Sequence, residues 1–410
     1  MNRLIRNKCS LIGHMSRFDD RPTLSTKITI PGRWQARTAA AICMLTMTSP
    51  AIARAATISV CASGCNQTSV SAAVAAASSG DTITITPGAY PVNVEIGKNM
   101  TLTLQGAGKT MLDAGGEDLV LSIDAGATVN LEGATVQGAG SSGMVAYGYL
   151  TVSDSLITGN GGGIINGGGV VKVVRSTISD NQAIYGGLGG GVWNLNRETD
   201  PIDSTITANN GYVAGISVAG GLVSLVNSTM SGNTGPIANL VVYSGIVSLV
   251  NSTVVSDGTS SFSIDIMRGS EVSMGNSILS SPVGAPNCSG VVSISVGHNL
   301  ASNNSCGLTD PTDVNNNANI NLGPLQVNAP ATTATQGPLP GSAAIDAGNC
   351  SFGSVVDDQR GVPRPQGPAC GIGAYELRTP IANNDAYAAV QGRTFVLSAP
   401  GVMTNEVSPD

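Results

Sequence analysis

The chain has 410 residues with a formal net charge of −7, and 41% of its residues are hydrophobic while only 3% are aromatic. Beyond residue 56 it holds 10 basic and 24 acidic residues, a net charge of −14. Such an acidic surface argues against nucleic acid or an anionic membrane as a partner.

The first 56 residues predict a secretory leader. Basic residues are frequent up to Arg37, an apolar run covers residues 38–53, and small residues follow at Ala53 and Ala55. The run is too short for a transmembrane span and ends at a cleavage-like site. We therefore expect residues 1–56 to be removed and the rest to be exported, with membrane contact only through an anchor outside this chain.

The cysteines agree with export. Cys9 and Cys43 belong to the leader, and the remaining six form three couples that are close in sequence. Six cysteines allow 15 pairings, and proximity favours three disulfides, Cys61–Cys65, Cys288–Cys306 and Cys350–Cys370. Because only His298 remains after the leader and no two cysteines are separated by two residues, we predict neither a zinc site nor a cofactor.

After the leader, residues 67–96 predict a short alanine-rich helix, a Ser-Gly-Asp turn and the first strands. Such a helix can cover the apolar end of a stack of strands, which otherwise exposes an unpaired sheet edge.

Between Leu150 and Ser281 one short phrase occurs six times. The copies align on Ser155, Ser176, Ser204, Ser228, Ser252 and Ser277, at steps of 21, 28, 24, 24 and 25 residues. Two positions later each copy is aliphatic, at Ile157, Ile178, Ile206, Met230, Val254 and Leu279. The residue in between, threonine in four copies, takes the opposite face, as alternation along a strand requires.

A repeated unit that cannot bury its own apolar face must stack on its neighbours. We therefore predict an all-β fold, a right-handed parallel β-helix in a domain over residues 57–281, with about nine turns from Asp81 to Ser281 and the six aliphatic side chains inside. The 53 glycines and the few aromatics agree with its narrow core.

Two polar columns accompany the repeat. Five residues after each of the first five serines comes an Asn or Asp, namely Asn160, Asn181, Asn209, Asn233 and Asp257. These residue types tolerate left-handed backbone and bond to nearby amides, so they predict a ladder at a bend. The serine hydroxyls are expected to satisfy one another. We interpret both columns as structural.

Residues 282–376 lose the period, become rich in Pro, Asn and Gly, and are interpreted as a closing region. GDTITITPGAY and LTLQGAG resemble the opening turns of pectin-lyase-like β-helices. GHNLASNNSCGL, GPLPGSAAIDAGNC and DQRGVPRPQGPACGIGAYE resemble bacterial choice-of-anchor Q domain proteins. This resemblance implies a secreted or bacterial cell-surface protein and no established catalytic activity.

Residues 377–410 predict a linker and the truncated start of another domain, which resembles a cadherin-like or Ig-like repeat. Such repeats continue with Asn-Asp and further aspartates, whereas here Asn405 is followed by Glu406, so the segment departs from the calcium-binding pattern of these repeats and leaves calcium binding open.

Three motifs imitate functional sites. Gly106 to Thr110 resembles the end of a phosphate loop but lacks the earlier glycine, because position 103 is threonine. His298 could serve a catalytic triad, although a lone histidine in a turn is more often structural. The acidic and basic residues at 357–360 are expected to form a hydrogen-bonded cap with Arg364.

One turn is oversized and carries VWNLNRETDPID, where we place the candidate ligand-binding residues Trp193, Arg197, Asp200 and Asp203. We predict a display module that binds a surface glycan or another host or cell-surface component, with no catalytic residues. The alternative is a polysaccharide lyase or hydrolase that uses the acidic residues of 175–203.

Overall fold

The computed structural model describes residues 55–97, 99–104, 109–183, 189–256, 258–317 and 320–378, together with 391, 392 and 394. The predicted leader, the core of the phosphate-loop motif at 105–108, Asp257 and nearly all of the predicted C-terminal repeat lie outside these residues.

Parallel strands stack into three sheets, which confirms the predicted all-β solenoid. Sheet A contains 11 strands, β1 (Thr57–Val60), β2 (Thr82–Ile85), β5 (Met100–Leu104), β8 (Thr128–Glu132), β11 (Tyr149–Ser153), β14 (Val170–Val174), β17 (Glu198–Ile202), β20 (Leu222–Val226), β23 (Ile246–Val250), β26 (Glu271–Gly275) and β28 (Ile294–Gly297). Sheet B contains ten, β3 (Gly88–Pro91), β6 (Thr110–Asp113), β9 (Thr135–Gln137), β12 (Leu156–Thr158), β15 (Thr177–Ser179), β18 (Thr205–Thr207), β21 (Thr229–Ser231), β24 (Thr253–Val255), β27 (Ile278–Ser280) and β29 (Leu300–Ala301). Sheet C contains eight, β4 (Val94–Ile96), β7 (Leu119–Ile123), β10 (Ser142–Ala146), β13 (Ile164–Asn166), β16 (Val192–Asn194), β19 (Ile216–Val218), β22 (Ala238–Val242) and β25 (Phe262–Ile266).

The six aliphatic residues of the repeat form one continuous column in sheet B. Each pairs in register with its counterpart on the next turn, from Ile157 to Leu279. All six are at most 1% exposed. The prediction that they stack inside the coil is therefore confirmed.

The serine column has a different bonding pattern from the one expected. The backbone N–H of Ser176 donates to the hydroxyl of Ser204 at 3.2 Å, and the hydroxyl of Ser176 donates to the carbonyl of Val174 at 2.8 Å. The same two bonds recur at Ser204 and Ser228. The hydroxyls thus satisfy backbone groups rather than one another, because the strand-to-strand bend leaves an amide of each turn without a ladder partner.

The asparagine column is a buried side-chain ladder, as predicted. The amide of Asn160 donates to Asn181 at 3.0 Å, Asn181 donates to Asn209 at 2.9 Å, and Asn209 donates to Asn233 at 2.9 Å. The left-handed residue of this bend is the one before each asparagine, for example Asp180 at φ 54°.

A second left-handed column forms the bend from sheet A to sheet B, at the polar position just before each repeat serine and, in the last turn, just before Asn299. Its non-glycine residues have φ between 45° and 53°, and they are Asp154, Arg175, Asp203, Asn227, Asn251, Asn276 and His298. A single residue in this left-handed conformation turns the chain sharply, and among non-glycine residues Asn and Asp tolerate the conformation best. Arg175 is the one long side chain in this set.

The predicted capping helix is α1 (Val70–Ala76). Ser69 caps its start by accepting a hydrogen bond from the Ala72 N–H, and Val70, Ala73 and Val74 face the core. Strand β1 precedes the helix, however, and pairs with β2, so the coil starts before the helix rather than after it.

The coil also extends past residue 281, because β28 and β29 continue sheets A and B to Ala301. The expected boundary was too early, because the last turn has Asn299 in place of the repeated serine: the Ser277 N–H donates to the Asn299 side chain, 22 residues further on, at 3.1 Å. The remaining short elements are β30 (Gln326–Val327), β31 (Ala334–Thr335) and a 3₁₀-helix at Phe352–Ser354. All three predicted disulfides, Cys61–Cys65, Cys288–Cys306 and Cys350–Cys370, are present.

Residues 329–376 fold back along the coil, and we call them the return segment. Gln359 donates to the Thr205 hydroxyl at 2.9 Å and accepts from the Thr229 hydroxyl at 2.6 Å. One turn further on, the Thr253 hydroxyl accepts the Ala374 N–H at 3.0 Å. The closing region therefore covers the outer face of sheet B along several turns.

Candidate functional site

The structure separates the four predicted ligand-binding residues. Trp193 lies in sheet C, Arg197 at the bend from sheet C to sheet A, Asp200 in sheet A, and Asp203 at the bend from sheet A to sheet B. The additional residues of the long turn come before β16, between Asp180 and Val192, so VWNLNRETDPID itself forms regular strands and bends. These four residues therefore do not lie on an inserted loop, and their role in ligand binding stays a prediction.

The outer side of sheet C carries aromatic side chains, and we call this surface the aromatic face. Trp193 points outward between Ile165 and Ser217 of the adjoining turns, because its neighbours Val192 and Asn194 are buried. Tyr147 and Tyr212 at its margins are each 50% exposed. The face comprises Tyr147, Trp193, Tyr212, Tyr243 and Phe262, together with Ser217 and Val241.

Several polar atoms of the aromatic face are buried without a hydrogen-bond partner. They are Nε1 of Trp193, Oγ of Ser217 and the hydroxyl of Tyr243. Burial, followed by the nearby Tyr212 and Asp265, raises the pKa of Tyr243, which keeps its hydroxyl protonated. Since buried polar groups are normally paired, three groups without partners on one face of the coil require an explanation.

Arg197 is exposed and has φ 60°. Its guanidinium lies 6.0 Å from the ring centroid of Tyr149, which begins β11 in sheet A. At this range the contact is a weak cation–π interaction. Arg197 is therefore held at the margin of the aromatic face and away from the carboxylates that follow it.

Asp200 lies on the outer face of sheet A but is only 8% exposed. Burial and the charge of Glu198 raise its pKa to about 6, although Lys172 on the preceding turn opposes them. Its Oδ1 is buried and has no hydrogen-bond partner.

Asp203 occupies the left-handed bend between sheets A and B. Its Oδ1 accepts a hydrogen bond from the Asn227 amide at 3.3 Å, and its backbone carbonyl accepts one from Thr333 at 3.2 Å. Burial raises the pKa of Asp203 to about 6; Asn227 and Arg175 oppose the shift, while Asp358 and Asp357 of the return segment add to it.

A cavity of about 200 Å³ opens between this bend and the return segment, and we call it the corner cleft. On the coil side Arg175 donates two hydrogen bonds to Asp154, at 2.9 and 2.7 Å. Asp203 completes that wall, and the opposite wall is Pro330, Ala331, Thr332, Thr333, Gln359, Arg360 and Gly361. The sequence identified Asp203 as a candidate site residue. The cleft could not be predicted with it, because the return segment forms the opposite wall.

The carboxyl of Asp203 should make stability depend on pH. The pKa of Asp203 in the folded protein lies above the ordinary value of 3.8. The protonated carboxyl therefore gives its full contribution to stability below pH 3.8, and this contribution is lost as the pH rises through about 6. We expect Asp203→Asn to stabilise the protein by roughly 1–2 kcal/mol more at pH 7 than at pH 4, after screening at this half-buried site. Denaturant titrations of the wild-type and Asp203→Asn proteins at pH 4 and pH 7 measure the free energies of unfolding. An equal effect of the substitution at the two pH values would contradict the prediction.

The acidic and basic residues at 357–360 are structural, as expected. Asp358 and Arg360 form an ion pair at 2.8 Å with both side chains 0% exposed, and Arg364 pairs with Glu376 at 3.1 Å. Arg364 also donates to the carbonyls of Gly371 and Gly373. His298 is likewise held in the fold, with Nδ1 3.0 Å from the carbonyl oxygen of Ala347.

In the part of the chain that the structure describes, no three or more His, Cys, Asp or Glu side chains are grouped so that they could hold a metal ion. No helix within the same part is both long and apolar enough to cross a membrane.

Comparisons with known proteins support the architecture. No protein-family model and no curated protein sequence matches the chain. Among solved structures, the crystal structure of pectate lyase Pel9A is similar, with a TM-score of 0.50 and 16% sequence identity over 80% of this chain and 98% of that one. The chain has a pectate-lyase-like parallel β-helix fold. At this identity the likeness concerns the fold alone.

Proposed function

We propose that the protein is an exported β-helix module that binds a surface glycan through its aromatic face. The proposal depends on one observation, the outward Trp193 beside buried polar groups that lack partners. An aromatic ring offers a flat apolar surface to the C–H face of a sugar, and the half-exposed Tyr147 and Tyr212 carry hydroxyl groups that can bond the sugar.

Export and acidity agree with this role. The three disulfides are typical of proteins outside the reducing cytosol. The acidic balance beyond the leader disfavours polyanionic ligands such as pectate and favours neutral or cationic glycans. The resemblance to choice-of-anchor Q proteins and to an adhesin-type repeat supports display at a bacterial surface.

Replacing Trp193 by alanine should weaken binding to a neutral glycan by at least about tenfold, because truncating a central aromatic contact costs roughly 2 kcal/mol. Glycan-array screening followed by calorimetry on the best ligand measures the change. Ile294→Ala is the matched control, since Ile294 is an exposed apolar residue, 56% exposed, on the last strand of sheet A. Equal binding by the Trp193 and Ile294 variants would contradict the proposal, as would the absence of any glycan ligand.

The second candidate is a polysaccharide-cleaving enzyme. It is favoured by Asp200 and Asp203, whose burial raises each pKa to about 6, since a carboxyl that retains its proton near neutral pH can act as a general acid. The two carboxyls belong to different faces of the coil, however, and do not form a pair.

We expect no turnover of pectate, pectin or neutral glycans, with or without calcium, because Asp200 and Asp203 lie on different faces of the coil and cannot flank one scissile bond. Reducing-sugar release and absorbance of unsaturated products measure hydrolysis and elimination separately. Turnover that Asp200→Ala or Asp203→Ala abolishes would establish the enzyme and replace the display function.

A further inference from the structure

The corner cleft has an unbalanced negative charge. Arg175 is engaged by Asp154, and Arg360 is engaged by Asp358. Asp203 faces Arg175 on one side and Asp357 and Asp358 on the other. The carboxylates therefore outnumber the guanidinium groups, and among the described residues no guanidinium pairs directly with the carboxylate of Asp203 or of Asp357.

One oxygen of Asp203 is open to a ligand. Oδ1 accepts the Asn227 amide, whereas Oδ2 makes no hydrogen bond to a described residue. The amide oxygen of Asn227, a residue only 3% exposed, is also buried without a partner. A cationic donor would neutralise Asp203 and gain a charge-assisted hydrogen bond in a partly desolvated position.

The volume of the cleft and its other lining residues limit the size and chemistry of a ligand that can bind there. Its volume of about 200 Å³ is below the roughly 300–1,000 Å³ of drug-sized pockets, which suits a single small unit. Thr332 adds an exposed hydroxyl group, and Pro330 and Ala331 add an apolar surface, whereas the Thr333 hydroxyl is buried and bonded to Asp203 and Gln359. A divalent metal would need several more oxygen ligands than Asp203 supplies.

We propose that the corner cleft binds the primary ammonium group of an amino-sugar unit, with Asp203 as the acceptor carboxylate and the Thr332 hydroxyl facing the sugar. This inference rests on the proposed glycan-binding function and narrows its ligand to a glycan with unacetylated amines. The site is separate from the aromatic face, so the two proposals can fail independently.

The test titrates the whole exported protein at pH 7 with a tetramer of glucosamine, its fully N-acetylated counterpart and a lysine-containing peptide. We expect saturable binding of the glucosamine tetramer, with at least tenfold weaker binding of the acetylated one, since acetylation removes the charge. Asp203→Asn should weaken glucosamine binding about tenfold. Glu271→Gln is the matched control, because it removes an exposed carboxyl of sheet A that lies outside the cleft.

Ala331→Phe, which fills the cleft from the return segment without changing charge, should reduce binding as well and provides a second variant if Asp203→Asn fails to fold. Equal binding of both tetramers, equal binding by the Asp203 and Glu271 variants, or no binding of glucosamine would overturn the assignment. Binding of the peptide alone would also overturn it and would indicate a lysine-bearing protein ligand. Loss of glucosamine binding only in Trp193→Ala would refute the cleft and leave the glycan-binding function intact.

Discussion

Replacing Ile206 by aspartate should destabilise the protein by several kcal/mol, because it removes buried apolar contacts and places a carboxyl in a dry column. Ile206 is 1% exposed and stacks between Ile178 and Met230. Each turn of a solenoid is stabilised mainly by its neighbours, so the damage should extend to the turns on both sides. Urea unfolding followed by circular dichroism measures the loss.

Thr207→Asp is the control for this substitution. Thr207 lies in the same strand, β18, but is half-buried rather than enclosed in the column. We expect its replacement to change stability by less than about 1 kcal/mol. If the two aspartate variants unfold at the same urea concentration, residue 206 does not belong to a dry interior column.

Asp358→Ala should cost about 3–5 kcal/mol, since it leaves the Arg360 guanidinium buried without its counter-charge. Asp358 accepts hydrogen bonds from the Arg360 side chain at 2.9 Å, the Val362 N–H at 3.0 Å and the Glu376 N–H at 2.8 Å. Losing all of them should release the return segment from sheet B. Hydrogen exchange should then quicken in β18, β21 and β24.

The ion pair between Asp154 and Arg175 provides a matched comparison. It has two direct hydrogen bonds, but its side chains are 37% and 53% exposed. Asp154→Ala should therefore cost at most about 1 kcal/mol and leave the exchange of sheet B unchanged. Equal losses in the two alanine variants would show that the return segment is not held by its buried ion pair.

The sequence by itself determined the coil. The serine, aliphatic and asparagine positions recur at nearly constant spacing, and each contacts the same position one turn away, so one local pattern specifies the strands, the inner column and the amide ladder. The disulfides were predictable for a similar reason, since each joins cysteines at most 20 residues apart. The hydrogen-bond partners of the serine hydroxyls could not be predicted, because a hydroxyl can donate to and accept from several partners.

Only the tertiary structure decided what covers the coil and where its functional groups lie. Thr205, Thr229 and Thr253 alternate to the outside as predicted, yet they are at most 1% exposed because the return segment covers them. Gln359 reaches Thr205 across 154 residues of sequence, and no periodic signal records such a contact. Residues 193–203 are adjacent in sequence but span three faces, since each sharp bend redirects the side chains. The corner cleft exists only where these two parts meet, because its walls come from strands and loops that are far apart along the chain.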